Sequence, residues 1–244
     1  MVRGVLGKVS QRATFAAFDL RGHGETESAL ESAEGVFTAA GLAADVEAVA
    51  RALLDELGAD ARCVLVGHSM GGAAVVRAAP NLRDVLGGLV VIDVVEGTAL
   101  ASLRHMRSVL TATPARFESA EHAIAWALRA GVCGDPEAAR VSVPPRLRPA
   151  ADGQGLEWRT DLSKSEPHWE EWYRGLSDAF LKVPAPKVLV LAGTDRLDRA
   201  LTVASMQGKY QSVILPQAGH AVQEDAAEAV ASALAAFLRR QRLA

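Results

Sequence analysis

Apolar runs and amphipathic stretches alternate along much of the chain. Short apolar runs predict buried strands, and apolar residues recurring at spacings of three and four predict helices. The predicted strands are Thr14–Phe18, Cys63–Val66, Leu86–Ile92, Lys187–Ala192 and Ser212–Leu215. The predicted helices are Leu42–Leu57, Met70–Ala79 and Glu224–Arg240. Strands that alternate with helices indicate an α/β fold, with a mostly parallel sheet flanked by helices on both faces.

The middle of the chain, residues 98–181, departs from this alternation. It contains helical patches at Leu100–Leu110 and Ala120–Ala130, a proline-rich break at residues 143–149, and a polar stretch, Ala150–Gly155, that we predict to be a mobile loop. We interpret the region as a helical cap insertion. The core would then comprise residues 1–97 and 182–244.

Composition narrows the possible partners. The net charge of the 244 residues is −3, which gives no electrostatic reason to expect nucleic acid or a membrane surface as partner. No apolar run approaches the length of a membrane span. The two cysteines make no disulfide framework, which suggests a reducing compartment, and no Cys/His cluster has metal-site spacing. We therefore expect neither a metal nor an organic cofactor.

The segment Gly67-His-Ser-Met-Gly71 fits the G-x-S-x-G pattern of a nucleophile elbow. A predicted strand precedes it and a predicted helix follows, which is the context that this motif requires. The sharp turn exposes a serine above the sheet edge, and the helix N-terminus favours the negative charge that develops there. The motif predicts an α/β-hydrolase fold with Ser69 as the nucleophile and the Met70 backbone N–H as an oxyanion donor.

A serine nucleophile needs a base and an acid, which follow it in that fold in the order Ser, acid, His. His220 is the best base, because it lies in a loop after the last predicted strand. Asp93 and Asp195 each follow a core strand, so either could be the acid. Glu96 and Asp198 are weaker candidates. General α/β-hydrolase layout favours Asp195 over Asp93.

Several segments in order resemble the protein phosphatase methylesterase 1 family. They are Asp19-Leu-Arg-Gly-His-Gly-Glu-Thr26, Gly67-His-Ser-Met-Gly-Gly72, Ile92-Asp-Val-Val-Glu-Gly-Thr98, Trp172-Tyr-Arg-Gly-Leu-Ser177, Leu191-Ala-Gly-Thr-Asp-Arg-Leu-Asp198, Met206-Gln-Gly-Lys209 and Leu215-Pro-Gln-Ala-Gly-His-Ala-Val222. The resemblance covers nearly the whole chain. It implies a serine carboxylesterase that removes the methyl ester from the C-terminal leucine of the protein phosphatase 2A catalytic subunit.

The same resemblance implies roles for particular residues. Ser69 would be the nucleophile, Asp93 the acid and His220 the base, while Met206 and Gln207 would line the substrate groove. The cap would engage the phosphatase. A eukaryotic protein of the cytoplasm or nucleus is expected.

One departure from the family pattern concerns the N-terminus. Family members have strands and a His-Gly-Gly-Gly loop before the Asp-Leu-Arg segment, and such a loop supplies part of the oxyanion hole. Here only 18 residues precede Asp19, and they contain no such loop. We therefore expect an N-terminally truncated fold. The alternatives are a general carboxylesterase for small esters and a catalytically impaired phosphatase-binding protein.

Overall fold

A parallel sheet forms the centre of the structure, a computed structural model that describes residues 13–26 and 36–243. The strands in chain order are β1 (Cys63–His68), β2 (Leu86–Ile92), β3 (Arg116–Phe117), β4 (Leu147–Pro149), β5 (Leu156–Trp158), β6 (Lys187–Leu191) and β7 (Gln211–Ile214). The central sheet has the order β1-β2-β6-β7, and all its neighbours are parallel. The strand order matches the prediction of a mostly parallel sheet.

Helices connect these strands and cover the sheet. The α-helices are α1 (Ala39–Leu57), α2 (Met70–Ala78), α3 (Glu96–Ala112), α4 (Ala120–Arg129), α5 (Pro136–Ser142), α6 (Trp169–Tyr173), α7 (Leu176–Lys182), α8 (Arg199–Met206), α9 (Val222–Asp225) and α10 (Ala227–Arg240). Short 3-10 turns lie at Ala79–Leu82, Pro144–Arg146, Leu162–His168 and Thr194–Arg196.

The two middle strands of the sheet are buried on both faces. On β2, Leu89 and Val91 join the hydrophobic cluster of one face, while Val90 and Ile92 join the cluster of the other. Strand β6 divides in the same way, because successive side chains of a strand point to opposite faces. Continuous apolar runs are typical of parallel strands covered on both sides, which is why the sequence predicted these two strands well.

The segment between β2 and β6 carries the elements expected of an insertion, from α3 to α7. Part of it forms a second, antiparallel sheet with the order β3-β5-β4. This small sheet packs with α4 and α5 around its own hydrophobic cluster, which includes Phe117 and Cys133. The sequence predicted no strands here, because strands of two or three residues are too short to show a period. The division of the chain at residues 98 and 181 stays a prediction.

Two predicted elements were wrong. Thr14–Phe18 is not a strand: no ladder joins it to another strand of the described residues, and the Phe18 residue is 42% exposed. An apolar run becomes a strand only where a neighbour completes its hydrogen bonds. The predicted helix Glu224–Arg240 is divided into α9 and α10 at Ala226, whose backbone is not helical (φ −134°, ψ 46°).

Candidate active site

Ser69 occupies a sharp turn between β1, which ends at His68, and α2, which begins at Met70. Its backbone has a positive φ of 52°, which a residue with a side chain adopts only where the surroundings enforce it. The turn is tight because Gly67 approaches the first turn of α2. A Cβ on Gly67 would lie 2.2 Å from the Gly71 carbonyl oxygen. The G-x-S-x-G segment therefore forms a nucleophile elbow.

The hydrogen-bond ladder of the sheet continues beyond the strands and positions two site residues. The Ser69 amide donates to the Ile92 carbonyl at 3.0 Å, and the Asp93 amide donates to the Val190 carbonyl at 2.8 Å. Asp93 also has a positive φ, of 50°. Ser69 and Asp93 are thus held at the same C-terminal edge of the sheet, where sites on such folds are built.

His220 comes to this edge on the loop between β7 and α9. The loop is anchored by the Gly219 amide, which donates to Asp225 Oδ2 at 2.8 Å. His220 Nδ1 lies 2.7 Å from Asp93 Oδ2, and Nε2 lies 3.0 Å from Ser69 Oγ. A carboxylate only accepts, so Nδ1 carries the proton and Nε2 is left to accept from the serine hydroxyl. The structure thus brings together the three residues that the sequence singled out.

The Asp93 carboxylate is fully buried and is surrounded by donors. Oδ1 accepts from the Ala192 amide at 3.0 Å, while Oδ2 accepts from both His220 and Arg196. Burial alone would raise the pKa of Asp93, but the hydrogen bonds from His220 and Ala192 and the charge of Arg196 together lower it below its usual value. Asp93 is therefore held as a carboxylate, the form that can orient and stabilise an imidazolium.

His68, the residue directly before the nucleophile, contacts the backbone of the base. Its Nε2 lies 2.7 Å from the His220 carbonyl oxygen, and the two rings are 4.7 Å apart. Burial, together with the neighbouring His220, lowers the pKa of His68 to about 4. His68 is therefore neutral near pH 7, and its one ring proton fixes the backbone of the base.

The other acid candidates lie elsewhere. Asp195 is exposed, and none of the hydrogen bonds among the described residues joins it to His220. Glu96 accepts from the amides of Gly175 and Ser177 at 2.8 and 3.1 Å and so fixes the start of α7. Asp198 caps α8 through the Leu201 amide. The structure places Asp93 alone of these four next to the base.

The three other predicted site residues lie at the ends of helices. Met70 is the first residue of α2, and the first amides of a helix lack acceptors within it, so its N–H suits an oxyanion. Met206 ends α8 with 85% exposure, and Gln207 follows as the C-cap. The binding roles of Met206 and Gln207 stay predictions. The expected absence of an oxyanion loop before Asp19 concerns mainly residues 1–12, which lie outside the described part.

The described residues hold no group of three or more His, Cys, Asp or Glu side chains arranged to bind a metal ion. Among them, too, no helix is both long and apolar enough to cross a membrane. Both cysteines, Cys63 and Cys133, are free thiols.

Sequence reasoning missed two residues that the fold brings to the triad. Arg196 follows the candidate acid Asp195 directly, and it is this neighbour that reaches Asp93. Burial raises the pKa of Tyr173, on α6 of the insertion, and an interaction with Ser69 offsets this in part. For Arg196 the sequence does contain a signal, because this cation lies directly next to a candidate acid. The run Trp172-Tyr-Arg-Gly175 gave no chemical reason to select Tyr173.

A serine on an elbow, hydrogen-bonded through histidine to a buried aspartate at the edge of a parallel sheet, is the site of an α/β hydrolase. The comparisons agree. A profile described as the alpha/beta hydrolase family matches residues 2–233. Among solved structures, an E-2-(acetamidomethylene)succinate hydrolase superposes with a TM-score of 0.71 at 26% identity, over 91% of this chain and 80% of that one.

Relatives with curated names show which family of α/β hydrolases the chain is similar to. Protein phosphatase methylesterase 1 of Yarrowia lipolytica is 42% identical over 226 residues, which cover 92% of this chain and 53% of the relative. The protein of the same name from Mus musculus is 41% identical over 270 aligned positions, which cover 93% and 69%. The chain thus spans between about half and about 70% of the length of these relatives. It belongs to the protein phosphatase methylesterase 1 family.

Proposed function

We propose that this chain hydrolyses the methyl ester on the C-terminal leucine carboxylate of the protein phosphatase 2A catalytic subunit. The observation that carries the proposal is the assembled Ser69–His220–Asp93 chain of hydrogen bonds, in a sequence about 41% identical to proteins named as phosphatase methylesterases. The phosphatase is then both substrate and partner, and a eukaryotic cell's cytoplasm or nucleus is where the two would meet.

The first half of the reaction forms an acyl-enzyme. His220 Nε2 removes the proton from Ser69 Oγ as this oxygen attacks the ester carbonyl carbon. The carbonyl oxygen becomes an oxyanion beside the Met70 N–H. The tetrahedral intermediate collapses when His220 returns the proton to the methoxy oxygen, so methanol leaves and the leucine carbonyl stays bonded to Ser69.

The second half releases the carboxylate. Water enters the position vacated by methanol and loses a proton to His220 as it attacks the acyl-enzyme carbonyl. The C–Oγ bond then breaks, and the proton returns to Ser69. In both halves Asp93 stabilises the imidazolium, and the charge of Arg196 helps to keep Asp93 ionised.

The exposed end of α8 supports a role in substrate binding. A methionine with 85% exposure is a flexible apolar side chain that can pack against a partner, and Gln207 beside it can hydrogen-bond an extended peptide. We propose that Met206 and Gln207 contact the phosphatase tail on its way to Ser69.

The test is demethylation of the carboxymethylated phosphatase 2A catalytic subunit by this chain, beside its Ser69→Ala variant. Wild type should release methanol at a rate that Ser69→Ala lowers by a factor on the order of 10⁶, as loss of a catalytic serine does in other hydrolases. A matched control is Ser102→Ala, because the Ser102 hydroxyl donates to the Ala99 carbonyl of its own helix.

Parallel assays with p-nitrophenyl acetate separate the alternatives. Faster Ser69-dependent turnover of this small ester, with none of the methylated subunit, would replace the proposal with a general carboxylesterase. Tight binding of the subunit without turnover, unchanged by Ser69→Ala, would indicate a phosphatase-binding protein instead.

A further inference from the structure

The catalytic base lies on an exposed loop, where burial does little to fix its position. The His220 side chain is 56% exposed, and Gly219 before it is exposed as well. We propose that Asp225, five residues after the base, is a positioning residue that holds this loop and couples it to the insertion. This inference rests on the acyl-transfer chemistry of the proposed function, but not on the identity of the ester.

The Asp225 carboxylate accepts hydrogen bonds from two backbone amides that lie far apart in the chain. Oδ2 accepts from the Gly219 amide, directly before the base, at 2.8 Å. Oδ1 accepts from the Gly134 amide of the insertion at 2.7 Å. Hydrogen bonds to an ionised carboxylate are stronger than neutral ones, and two of them on different oxygens fix its orientation. Asp225 therefore sets the position of the base loop relative to the insertion.

Both donors are glycines, which lets the carboxylate approach both segments closely. A Cβ on Gly219 would lie 3.0 Å from Asp225 Oδ2, and a Cβ on Gly134 would lie 3.3 Å from Oδ1. These distances are shorter than ordinary van der Waals contacts. A side chain at either position would push the carboxylate away from the amide that it accepts from.

The insertion contacts α9 at both ends of α5. Gly134 lies just before α5 and follows Cys133, which is buried in the hydrophobic cluster of the insertion. At the other end of α5, the Ser142 hydroxyl donates to Glu224 Oε2 at 2.7 Å. Arg146 donates to Oε1 of the same carboxylate at 3.1 Å. The Gly134 amide thus has a fixed place, and it moves only when the insertion moves.

On the core side, the backbone is held both before and after the base. Val222, the first residue of α9, is fully buried in the cluster on one face of the sheet. The carbonyl of His220 is bound by His68 at 2.7 Å, and the amide of Gly219 is bound by Asp225. Without the bond to Asp225, the segment before the base would be free to shift.

Such a shift would act directly on the proton transfers. His220 has to keep Nδ1 at 2.7 Å from Asp93 Oδ2 and Nε2 at 3.0 Å from Ser69 Oγ. A displacement of about 1 Å at a reacting group can cost about 10² in rate. Asp225 contributes to catalysis through this geometry, without contact to the ester.

The decisive variant is Asp225→Asn, which keeps the size of the side chain but leaves one oxygen where two are used. The amide nitrogen of asparagine cannot accept, so one of the two hydrogen bonds is lost. We expect kcat on p-nitrophenyl acetate to fall by about 10². KM should change little, because the base acts in the transition state and not on bound ester.

The matched control is Asp135→Asn, at the other carboxylate beside Gly134. Asp135 Oδ1 accepts from the Ala138 amide at 2.7 Å and caps the start of α5. The substitution removes the same charge, and asparagine is an equally good N-cap. Asp135→Asn should therefore keep both kcat and stability at the wild-type level.

A double variant tests the coupling to the insertion without changing Asp225. Ser142→Ala combined with Arg146→Gln removes both donors to Glu224, so α5 is held less firmly on α9. The Gly134 contact should weaken, and kcat should fall by about three- to tenfold. This variant also tests the proposal if Asp225→Asn fails to fold. A wild-type kcat here would refute the coupling to the insertion.

Proton NMR provides a readout that needs no substrate. An imidazole Nδ1 proton that is bonded to a carboxylate resonates at very low field, and here it reports the hydrogen bond between His220 and Asp93. The resonance should broaden or disappear in Asp225→Asn at a temperature at which the variant is folded. In Asp135→Asn it should match wild type. A role of Asp225 in stability alone would lower Tm but leave the resonance of the folded protein unchanged.

The proposed substrate and the role of Asp225 can fail separately. Failure of wild type on the methylated phosphatase subunit alone would refute the substrate, while p-nitrophenyl acetate and NMR would still test Asp225. A folded Asp225→Asn protein with the kcat and the low-field resonance of wild type would overturn the inference.

Discussion

Asp93 joins three parts of the fold at a single carboxylate. It follows β2, it accepts from the amide that follows β6, and it binds the base from the loop after β7. Arg196 adds a positive charge at Oδ2, the same oxygen that accepts from the imidazole. The arrangement explains how a buried acid can stay ionised, since burial without such partners would favour its neutral form.

Asp93→Asn and Asp195→Asn together test the assignment of the acid, and each removes one carboxylate charge. Asparagine at position 93 can donate to the imidazole and so favour the wrong tautomer, and kcat should fall by about 10⁴. Asp195 is exposed, and its variant should retain kcat within about threefold. Steady-state kinetics on p-nitrophenyl acetate measures both. A larger loss of kcat in Asp195→Asn would exclude Asp93 as the acid.

At this scale the motif and the order of its partners predicted Ser69 and His220. Residues alone left Asp93 and Asp195 open, because both follow core strands, and only the resemblance to a family favoured the first. His68, Arg196 and Tyr173 act through contacts between segments far apart in the chain. Local spacing does not show such contacts, so the sequence did not select Arg196 or Tyr173 and assigned His68 only to the turn, although the cation beside Asp195 was a signal for Arg196.

Among the elements, the β1–α2 turn is the most constrained. Its glycines have different surroundings even though all three belong to one short motif. A Cβ on Gly67 would collide with the backbone of Gly71 and Gly72, and a Cβ on Gly72 would lie 2.7 Å from Val94. A Cβ on Gly71 would meet nothing within 4 Å. The motif thus requires glycine for steric reasons at some positions and not at others.

The variants Gly67→Ala and Gly71→Ala test this steric difference between the two positions. Gly67→Ala forces backbone to move, so it should lower the free energy of unfolding by more than about 3 kcal/mol and abolish activity. Gly71→Ala lies in the first turn of α2, where alanine is the better helix former, and stability should stay constant or rise by up to about 1 kcal/mol. Urea unfolding measures both values. Equal losses in the two variants would contradict the steric explanation.

Element prediction succeeded where burial on both faces made the pattern continuous, as in β2 and β6. It failed where tertiary contacts determine the end of an element. The break at Ala226 separates α9, whose acidic residues face the insertion: Glu224 accepts from Ser142 and Arg146, and Asp225 accepts from the Gly134 amide. The helical period of residues 224–240 contains no sign of these partners.

For the whole molecule, the important feature is the separation of its hydrophobic clusters. Two clusters cover the two faces of the central sheet, and a third lies within the insertion. We call the elements around the third cluster, from β3 to β5 (residues 116–158), the distal lobe. It contacts α9, directly after the loop of the base, through hydrogen bonds to Glu224 and Asp225. We expect the distal lobe to unfold locally while the central sheet stays folded.

Phe117→Ala tests this independence. Phe117 is 3% exposed, and its ring packs against Trp126 and Trp158 within the distal lobe, with centroids 5.7 and 5.3 Å apart. Removing the ring should destabilise the lobe by about 3–5 kcal/mol. Hydrogen exchange followed by mass spectrometry should then show faster exchange in residues 116–158, while β2 and β6 keep their protection.

The matched control for this experiment is Leu89→Ala, which opens a cavity in the sheet instead of the lobe. Leu89 is fully buried between the strands and the helices of one face, and its loss should cost about 2–5 kcal/mol. Because the sheet carries Ser69, Asp93 and the anchors of His220, exchange should increase in the strands and the distal lobe together. Uniform exchange in Phe117→Ala as well would mean that the distal lobe and the sheet unfold as one unit.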